Sequence, residues 1–448
     1  MDAAPVLAPE LACQLVRWRR EFHRRPEVGW TEFWTTARLA ELLGAMGLSP
    51  RLGAEMLDKD SRMGLPPEAA LSQAMAEAAR PLGDLSGARP DLLSRMDGAT
   101  GLCVDLAPDE APGLVLRCDI DALPVRESQA SSHRPAREGF RSLREGTMHA
   151  CGHDGHMAMA LGAVRLVLDQ LSQGRARLSR NVRLLFQPAE EGVRGAMPLV
   201  PLVSGWPYFL AGHIGLACPE TGSFAAGVTG AFATAKFNVA FQGREAHAAQ
   251  APEEGADALK GACEAVLALH ALPRHSRGEG RVCVGRLEGG SGRNVVPGFA
   301  RFEAEVRGRP QEVCDFLFAR AKAAVEGIAL ANGLDASVEL AGQAGSAESD
   351  GELSARLARI AEGLSWDGRP VFGRVLEQAR VSVSEDACTL MREVQQGGGH
   401  ASYMLFGSDL AAGHHAPDFD FDEAVLAKGA LMLASAVLDL AGSRDSRL

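Results

Sequence analysis

Hydrophobic residues recur with helical spacing in two stretches near the start of the chain. Residues 9–25 and 31–46 place apolar side chains three or four positions apart, and the first stretch carries arginines on its other face. Thr31 is a candidate N-cap of the second stretch, and Gly47 follows its far end. The pattern predicts two amphipathic helices in succession.

Short apolar runs then alternate with a helical pattern, which is typical of an α/β layer. The strand-like runs lie at 100–107, 113–125, 181–192 and 208–215, and a clear helix is predicted at 157–171. The run at 113–125 is continuously apolar up to two aspartates, as expected for a buried parallel strand. This order of elements predicts a mostly parallel sheet.

The pattern changes near residue 225, where alternation of polar and apolar residues begins. A strand, a helix (253–272), two strands, a helix (310–332) and a strand follow, which is the βαββαβ order of ferredoxin-like folds. We therefore predict a discontinuous α/β domain and an inserted α+β domain. Their predicted bounds are 1–225 with 346–448 for the first, 226–345 for the second, and 53–97 for an insertion within the first.

Composition and charge narrow the classes of partner. Asp plus Glu number 57 against 46 for Lys plus Arg, a net charge of −11, which argues against nucleic acid or an anionic membrane as a partner. We see no signal peptide, and no apolar stretch that approaches the ~18 residues of a membrane span. Nine scattered cysteines without a CxxC pair fit a reducing cytoplasm, where we expect this protein.

Polar groups with metal-binding chemistry follow the predicted strands. Because the carboxyl ends of parallel strands converge on one edge of a sheet, we expect these groups to meet there. Mixed sulfur, nitrogen and oxygen donors suit zinc, manganese or cobalt, and the lack of paired cysteines favours a catalytic site over a structural one. The groups are Asp119, Asp121, Cys151, His153, Glu190, Glu191, His213, His414 and His415.

The adjacent carboxylates Glu190 and Glu191 are the most informative pair. Neighbouring side chains at the end of a strand point in different directions, so one carboxylate can bind a metal while the other acts as a general base. A solvated turn is the alternative interpretation. The histidines outside the set above are interpreted mainly as structural or surface groups, with a ligand role left open for the first two: His149, His156, His23, His270 and His275.

Six motifs occur together in an order that resembles a known family. They are "MHACGHDGH" (148–156), "QPAEEG" (187–192), "GHIG" (212–215), "REAHAA" (244–249), "SGRNVVP" (291–297) and "HHAPDFDFDE" (414–423). The chain resembles the amidohydrolase branch of the dinuclear metallopeptidases, which includes hippurate hydrolases and indoleacetyl-amino-acid hydrolases. Segments 61–68, 132–140 and 410–423 are similar to the p-aminobenzoyl-glutamate hydrolases in that branch.

The resemblance implies two divalent metal ions, usually manganese or zinc, in the α/β domain. Cys151 would bridge the metals, His153 and His213 would complete one site, and Glu191 and His415 the other. His415 is preferred to His414 because the family's last ligand precedes a residue and a proline. Glu190 would be the general base, and Asp121 would orient a ligand histidine.

The inserted domain would be a lid that also makes dimer contacts. In the family, the histidine that matches His247 reaches an active site, commonly that of the partner, and stabilises the developing oxyanion. Asn294 would contact the substrate, and Arg293 either holds a substrate carboxylate or is structural. The resemblance implies a homodimer, or a heterodimer with a homologous subunit.

The resemblance therefore implies a metal-dependent amidohydrolase that cleaves an N-aroyl amino acid, with p-aminobenzoyl-glutamate as the leading substrate. Two alternatives stay open at this point. One is an N-acyl-amino-acid hydrolase with another acyl preference, and the other is a subunit that is active only with a homologous partner.

Overall fold

The structure is a computed structural model that describes residues 5–443. Its helices, in chain order, are α1 (Pro9–Arg24), α2 (Phe33–Ala45), α3 (Glu68–Ala78), α4 (Pro90–Met96), α5 (Arg134–Arg137), α6 (His153–Ser172), α7 (Val200–Val203), α8 (Ala258–His270), α9 (Gln311–Asn332), α10 (Gly351–Gly363), α11 (Ala387–Gln396) and α12 (Ala424–Ala441).

The strands range from two to eleven residues. They are β1 (Arg51–Leu52), β2 (Leu102–Asp105), β3 (Pro112–Asp119), β4 (Asn181–Gln187), β5 (Tyr208–Ile214), β6 (Ser223–Ala225), β7 (Val228–Thr229), β8 (Ala233–Gln242), β9 (Ala246–His247), β10 (Glu279–Gly289), β11 (Val295–Val296), β12 (Phe299–Arg309), β13 (Asp335–Ala344), β14 (Ser365–Trp366), β15 (Arg369–Pro370), β16 (Arg374–Leu376), β17 (Ala379–Arg380) and β18 (His400–Phe406).

The larger sheet has eight strands in the order β1-β2-β4-β3-β5-β18-β6-β16. Its centre is parallel, because β3 pairs with β4 and β5, and β5 pairs with β18, all in parallel register. The outer strands β1 and β2 are antiparallel. Residues 113–119 of β3 are all buried, since the sheet is covered on both faces, and this explains the continuous apolar run.

The smaller sheet has four antiparallel strands in the order β10-β12-β8-β13, with α8 and α9 on one face. Along β8, Phe237, Val239 and Phe241 are buried under these helices, while Lys236 and Asn238 alternate onto the open face. This order is that of a split βαβ fold, so the predicted combination of an α/β layer and a ferredoxin-like α+β layer is confirmed.

The segment 53–97 packs against the start of the chain. The buried guanidinium of Arg25 donates to the carbonyl oxygens of Glu77, Ala78 and Arg80, and the indole of Trp30 donates to Met63. The segment contains α3 and α4, and its buried apolar residues, among them Leu92 and Met96, belong to the core of the larger sheet rather than to a core of their own.

Two expectations were wrong. Helix α2 begins at Phe33, and the Thr31 hydroxyl donates to the Val28 carbonyl instead of capping the helix. We expected no apolar stretch as long as a membrane span, but helix α12 has 18 residues and is apolar enough to cross a membrane by length and composition. Because 78% of it is buried in the fold, where it packs on α6, it is a core helix here and weak evidence for a membrane span.

Helix α6 is attached to α1 by a buried arginine. Arg19 is fully buried, and its guanidinium donates to Asp154 (2.9 Å), Asp420 (2.8 Å) and Glu423 (3.2 Å). Asp154 is the second residue of α6, so the N-terminal end of that helix depends on the ion pairs. A buried cation with three carboxylates is stable only while every partner is present.

We expect Arg19→Ala to lower the free energy of unfolding by about 3–5 kcal/mol, because three carboxylates would lose their buried cation. Arg17→Ala is the matched control, since Arg17 lies on the same helix but is exposed and contacts only Gln14. Urea denaturation measures both changes. A loss below ~1 kcal/mol for Arg19→Ala would show that the network does not stabilise the fold.

Candidate metal centre

The five predicted metal ligands lie together at the carboxyl edge of the larger sheet. Cys151 precedes α6 and His153 is its first residue, while Glu191 follows β4 and His213 lies in β5. His415 follows β18, and its backbone N–H donates to the Ala150 carbonyl at 2.7 Å, which brings the end of the chain to the start of α6. The edge thus gathers residues separated by up to 264 positions in the chain (415 − 151).

Two triads of possible ligands share one cysteine. The ligand atoms of Cys151, His153 and His213 lie within 4.8 Å of one another, and so do those of Cys151, Glu191 and His415. The Cys151 Sγ is 3.3 Å from His213 Nε2, and Glu191 Oε1 is 3.4 Å from His415 Nε2. A thiolate at the intersection of two triads suits a pair of bridged cations.

Backbone carbonyls fix the orientation of two of the histidines. His153 Nδ1 lies 2.8 Å from the Asp121 carbonyl oxygen, and His213 Nδ1 lies 2.7 Å from that of Ile214. A carbonyl can only accept a hydrogen bond, so Nδ1 carries a proton in both histidines and Nε2 is the nitrogen nearer the centre. Burial and the neighbouring histidines His156 and His414 hold the pKa of His213 well below its usual value, which favours a neutral ligand.

Two buried polar atoms at the centre have no hydrogen-bond partner among the described residues. They are His153 Nε2 and Glu191 Oε1, and their separation is 4.0 Å. Orphaned buried acceptors are costly unless something else binds them. Together with the sulfur, nitrogen and oxygen donors, they fit a divalent metal pair.

The remaining histidines near the centre are engaged elsewhere. His414 Nε2 lies 3.1 Å from the Ile214 carbonyl, which leaves His415 for the triad with Glu191. Both nitrogens of His156 are bonded, one to Asp119 (2.6 Å) and the other to the Ile214 N–H (2.9 Å), so His156 orients β5.

His149 and the three distant histidines fit structural or surface roles. His149 is buried, its pKa is lowered to about 3 by burial, and it belongs to neither of the two triads. His23 is buried between Asp154 and Glu127. His270 is exposed and His275 half-buried, both in or beside the smaller sheet's helices.

The loop that carries Glu190 and Glu191 has a strained backbone. Ala189 and Val193 adopt positive φ angles of 52° and 57°, which cost about 1–3 kcal/mol each unless the surroundings enforce them. A Cβ atom on Gly195 would lie 1.7 Å from the Pro188 carbonyl oxygen, so only glycine fits where the loop turns back on itself.

Three buried carboxylates accept the backbone N–H groups of this loop. Asp121 accepts from Glu190 (3.1 Å) and Glu191 (3.0 Å) with its two oxygens. Glu32 accepts from Ala189 (2.7 Å), and Asp386 accepts from Gly195 and Ala196 (3.0 Å each). The carboxylate of Asp121 thus holds the loop, while its backbone carbonyl is the nearer partner of His153.

Glu190 lies in an acidic and buried environment. Its side chain is about 10% exposed and does not belong to either triad that contains Cys151. Burial raises the pKa of Glu190 well above its usual value, and the charges of Glu385, Glu191 and Asp386 add to the effect. A solvated turn is therefore excluded, and a carboxylate with raised proton affinity faces the centre.

The residues behind Glu190 were not among the predicted site residues. Arg117 is buried in β3 and donates to Asp119 (2.7 Å), Glu385 (3.0 Å) and Asp386 (3.0 Å). The hydroxyl of Tyr403 donates to the other oxygen of Glu385 at 2.6 Å. An arginine inside an apolar run was the available signal, since such a residue needs buried carboxylate partners.

A cavity of about 300 Å³ opens onto the centre, and both sheets contribute to its wall. Lys236 of β8 and Arg307 of β12 line it together with Cys151, Glu190 and His415. The Gln343 N–H in β13 donates to the Val193 carbonyl at 2.7 Å, which attaches the smaller sheet to the strained loop. Neither cation had been predicted as part of the site.

The predicted lid residues lie outside this cavity. His247 pairs with Val295 between β9 and β11, and the Ala248 N–H donates to the Asn294 carbonyl at 3.1 Å. His247, Asn294 and Arg293 are all exposed, and none of them lines the cavity beside Cys151. Within one chain, the structure groups these three residues with each other and not with the five ligands.

Comparisons with known proteins agree with this geometry. A family model described as peptidase family M20/M25/M40 matches residues 115–439. One of the subunits of the p-aminobenzoyl-glutamate hydrolase of Escherichia coli is 40% identical, covering 99% of this chain and all of that protein. The indole-3-acetyl-aspartic acid hydrolase of Enterobacter agglomerans is also 40% identical, over 97% of this chain and 98% of that protein.

Among solved structures, the aminobenzoyl-glutamate utilization protein from Klebsiella pneumoniae has the same fold. It is 34% identical, covers 96% of both chains and superposes with a TM-score of 0.79. The match therefore extends over both sheets. The chain belongs to peptidase family M20/M25/M40, and it is a metal-dependent amidohydrolase of N-acyl amino acids.

Proposed function

We propose that this chain hydrolyses the amide bond of an N-aroyl acidic amino acid, with p-aminobenzoyl-glutamate as the leading substrate and p-aminobenzoate and glutamate as products. The observation that carries the proposal is one cavity lined by candidate metal ligands, by the carboxylate of Glu190 and by two cations of the smaller sheet, Lys236 and Arg307. These two residues are called the lid cations below. The names of the two relatives support an acidic leaving group, because one names glutamate and the other aspartate, whereas their acyl groups differ.

We further propose that two divalent ions, manganese or zinc, bind at this edge of the sheet. Cys151 would be shared, His153 and His213 would complete one set, and Glu191 and His415 the other. When bound, such ions polarise a carbonyl oxygen and acidify water. The two orphaned acceptors and the shared thiol support this assignment.

Glu190 would act as the general base and acid. Its Oε2 lies 4.0 Å from His153 Nε2, beside the candidate ligands, so the carboxylate is placed to take a proton from water and pass it to the leaving nitrogen. Burial raises the pKa of Glu190, which increases its affinity for that proton. Asp121 holds the backbone of Glu190, so the carboxylate approaches from a fixed direction. Burial of the base also keeps bulk water from competing for the proton.

Arg307 is the candidate for the α-carboxylate that every N-acyl amino acid carries. Glu305 accepts from its Nε (2.9 Å) and Nη2 (3.1 Å), which fixes the guanidinium plane and leaves the Nη1 edge for a second carboxylate. Arg293, which the sequence suggested for such a role, is exposed in the loop beside Asn294.

His247, Asn294 and Arg293 would serve a second active site in a dimer. Their exposure, and their absence from the cavity of their own chain, support contact with a partner chain. The partner would be a second copy or a homologous subunit, because the Escherichia coli relative is named as one subunit of its enzyme. A chain that is active only with that homologous subunit is the second candidate. We also propose that the protein acts in the cytoplasm.

Turnover with chosen substrates tests the activity. We expect the purified chain with manganese to hydrolyse p-aminobenzoyl-glutamate with a kcat/KM at least about tenfold above that for benzoyl-glycine, because lid cations favour an acidic amino acid. The release of p-aminobenzoate, followed by chromatography, measures the rate. A tenfold preference for benzoyl-glycine would contradict the assigned substrate, and turnover only after addition of a homologous subunit would support the second candidate.

Complementation tests the contribution of His247 across a dimer. Glu190→Gln and His247→Ala are each expected to be inactive as pure homodimers. When both are co-expressed, half of the dimers are hybrids, and each hybrid combines Glu190 of one chain with His247 of the other in one intact site. We expect about a quarter of wild-type activity from such a mixture. No recovery, with hybrids verified by mass spectrometry, would mean that His247 acts within its own chain or not at all.

A further inference from the structure

Lys236 is a half-buried cation without an ion-pair partner. It lies in β8 on the open face of the smaller sheet, and no carboxylate among the described residues lies within 4.0 Å of its Nζ. Its cross-strand neighbour Glu305 is bound instead by Arg307. A partly desolvated ammonium group without a counter-charge favours a negatively charged ligand.

The position of Lys236 relative to the metal ligands is fixed by backbone contacts. On β13 its neighbour is Gly342, and a Cβ atom there would lie 2.2 Å from the Gly192 carbonyl oxygen. The next residue, Gln343, donates to Val193 at 2.7 Å. Because Gly192 and Val193 directly follow Glu191, Lys236 is placed against the loop that carries the proposed base and ligand.

The cavity also has chemistry for the rest of a substrate. Leu216, Val193 and Val383 supply apolar wall, whereas Arg307 supplies the second cation. An α-carboxylate lies one carbon from the scissile nitrogen, but the side-chain carboxylate of glutamate extends two methylenes further. Two separate cations on one wall therefore match an amino acid with two carboxylates better than one with a single carboxylate.

We propose that Lys236 is a specificity-determining residue that binds the side-chain carboxylate of an acidic amino acid in the substrate. This inference rests on the proposed function and adds the residue that selects the leaving group. In this proposal, Lys236 contacts the amino-acid half of the substrate and not the acyl half. Its contribution to specificity is therefore the same for acyl groups of different shape. A comparison of glutamate with glutamine isolates the effect of the charge, because their side chains have nearly the same size and differ only in a carboxylate against a neutral amide.

The test compares p-aminobenzoyl-glutamate with p-aminobenzoyl-glutamine in wild type and Lys236→Met. In wild type we expect kcat/KM to favour the glutamate substrate by about tenfold or more. With the glutamine substrate, the ammonium group of Lys236 would have no carboxylate partner. Lys236→Met should reduce that preference to within about threefold, chiefly through a lower kcat/KM for the glutamate substrate. Lys236→Arg should retain the preference.

Arg301→Met is the matched control. Arg301 lies on the same open face, in β12, and is exposed with its ion pair to Glu288 outside the cavity. Its substitution should leave the preference unchanged. If Lys236→Met keeps the wild-type preference, or if Arg301→Met lowers it equally, Lys236 does not read the side chain.

Equilibrium binding of the product separates this inference from the proposed function. Calorimetry with free glutamate and glutamine requires no turnover, and we expect wild type to bind glutamate at least about tenfold more tightly. The difference should vanish in Lys236→Met. If p-aminobenzoyl amino acids are not hydrolysed but the binding difference follows Lys236, the substrate assignment fails and the carboxylate subsite stands. If hydrolysis occurs without any such difference, the subsite fails.

Discussion

The site depends on hydrogen bonds from one strained loop to buried carboxylates. Within the segment from Ala189 to Ala196, Ala189 and Val193 adopt positive φ angles. Glu32, Asp121 and Asp386 hold the segment by accepting its N–H groups. A buried N–H group left without an acceptor would cost about 1–3 kcal/mol, so together these bonds can offset the strain. These bonds fix the backbone from which the side chains of Glu190 and Glu191 project.

The same bonds connect the two sheets with the chemistry. Asp386 is held by Arg117 of β3, and Val193 of the loop accepts from Gln343 of β13. The larger sheet therefore fixes the proposed base and ligands, while the smaller sheet adds Lys236 and Arg307 to the wall of the same cavity.

Much of the arrangement was predictable from the sequence, for a physical reason. Continuous apolar runs mark buried parallel strands, and the ends of such strands converge, so Cys151, Glu191 and His213 could be placed together from the sequence alone. The alternation in β8 likewise identified the antiparallel sheet. The choice of His415 over His414 came from the family resemblance, and the structure adds a reason, because His414 is bonded to a backbone carbonyl.

Other parts of the site carry no local signal. Glu385 and Asp386 lie 268 and 269 residues from Arg117, in a loop without periodicity, so only the folded chain shows that they meet. In the sequence, Lys236 is an ordinary polar position of an alternating strand. Only the relative placement of the two sheets shows that its face lines the cavity. The prediction of Thr31 as an N-cap was wrong because a threonine hydroxyl can donate to a nearby carbonyl as readily as it can cap a helix.

The central claim is that paired cations are held beside a carboxylate that does not bind them. Metal analysis and turnover of Glu190→Gln test it most directly, with Glu362→Gln as the control on an exposed glutamate of α10. The account predicts two divalent ions per chain in wild type and in both variants, with turnover lost by about two to four orders of magnitude only in Glu190→Gln. Loss of metal together with activity in Glu190→Gln, or near-normal turnover, would contradict it.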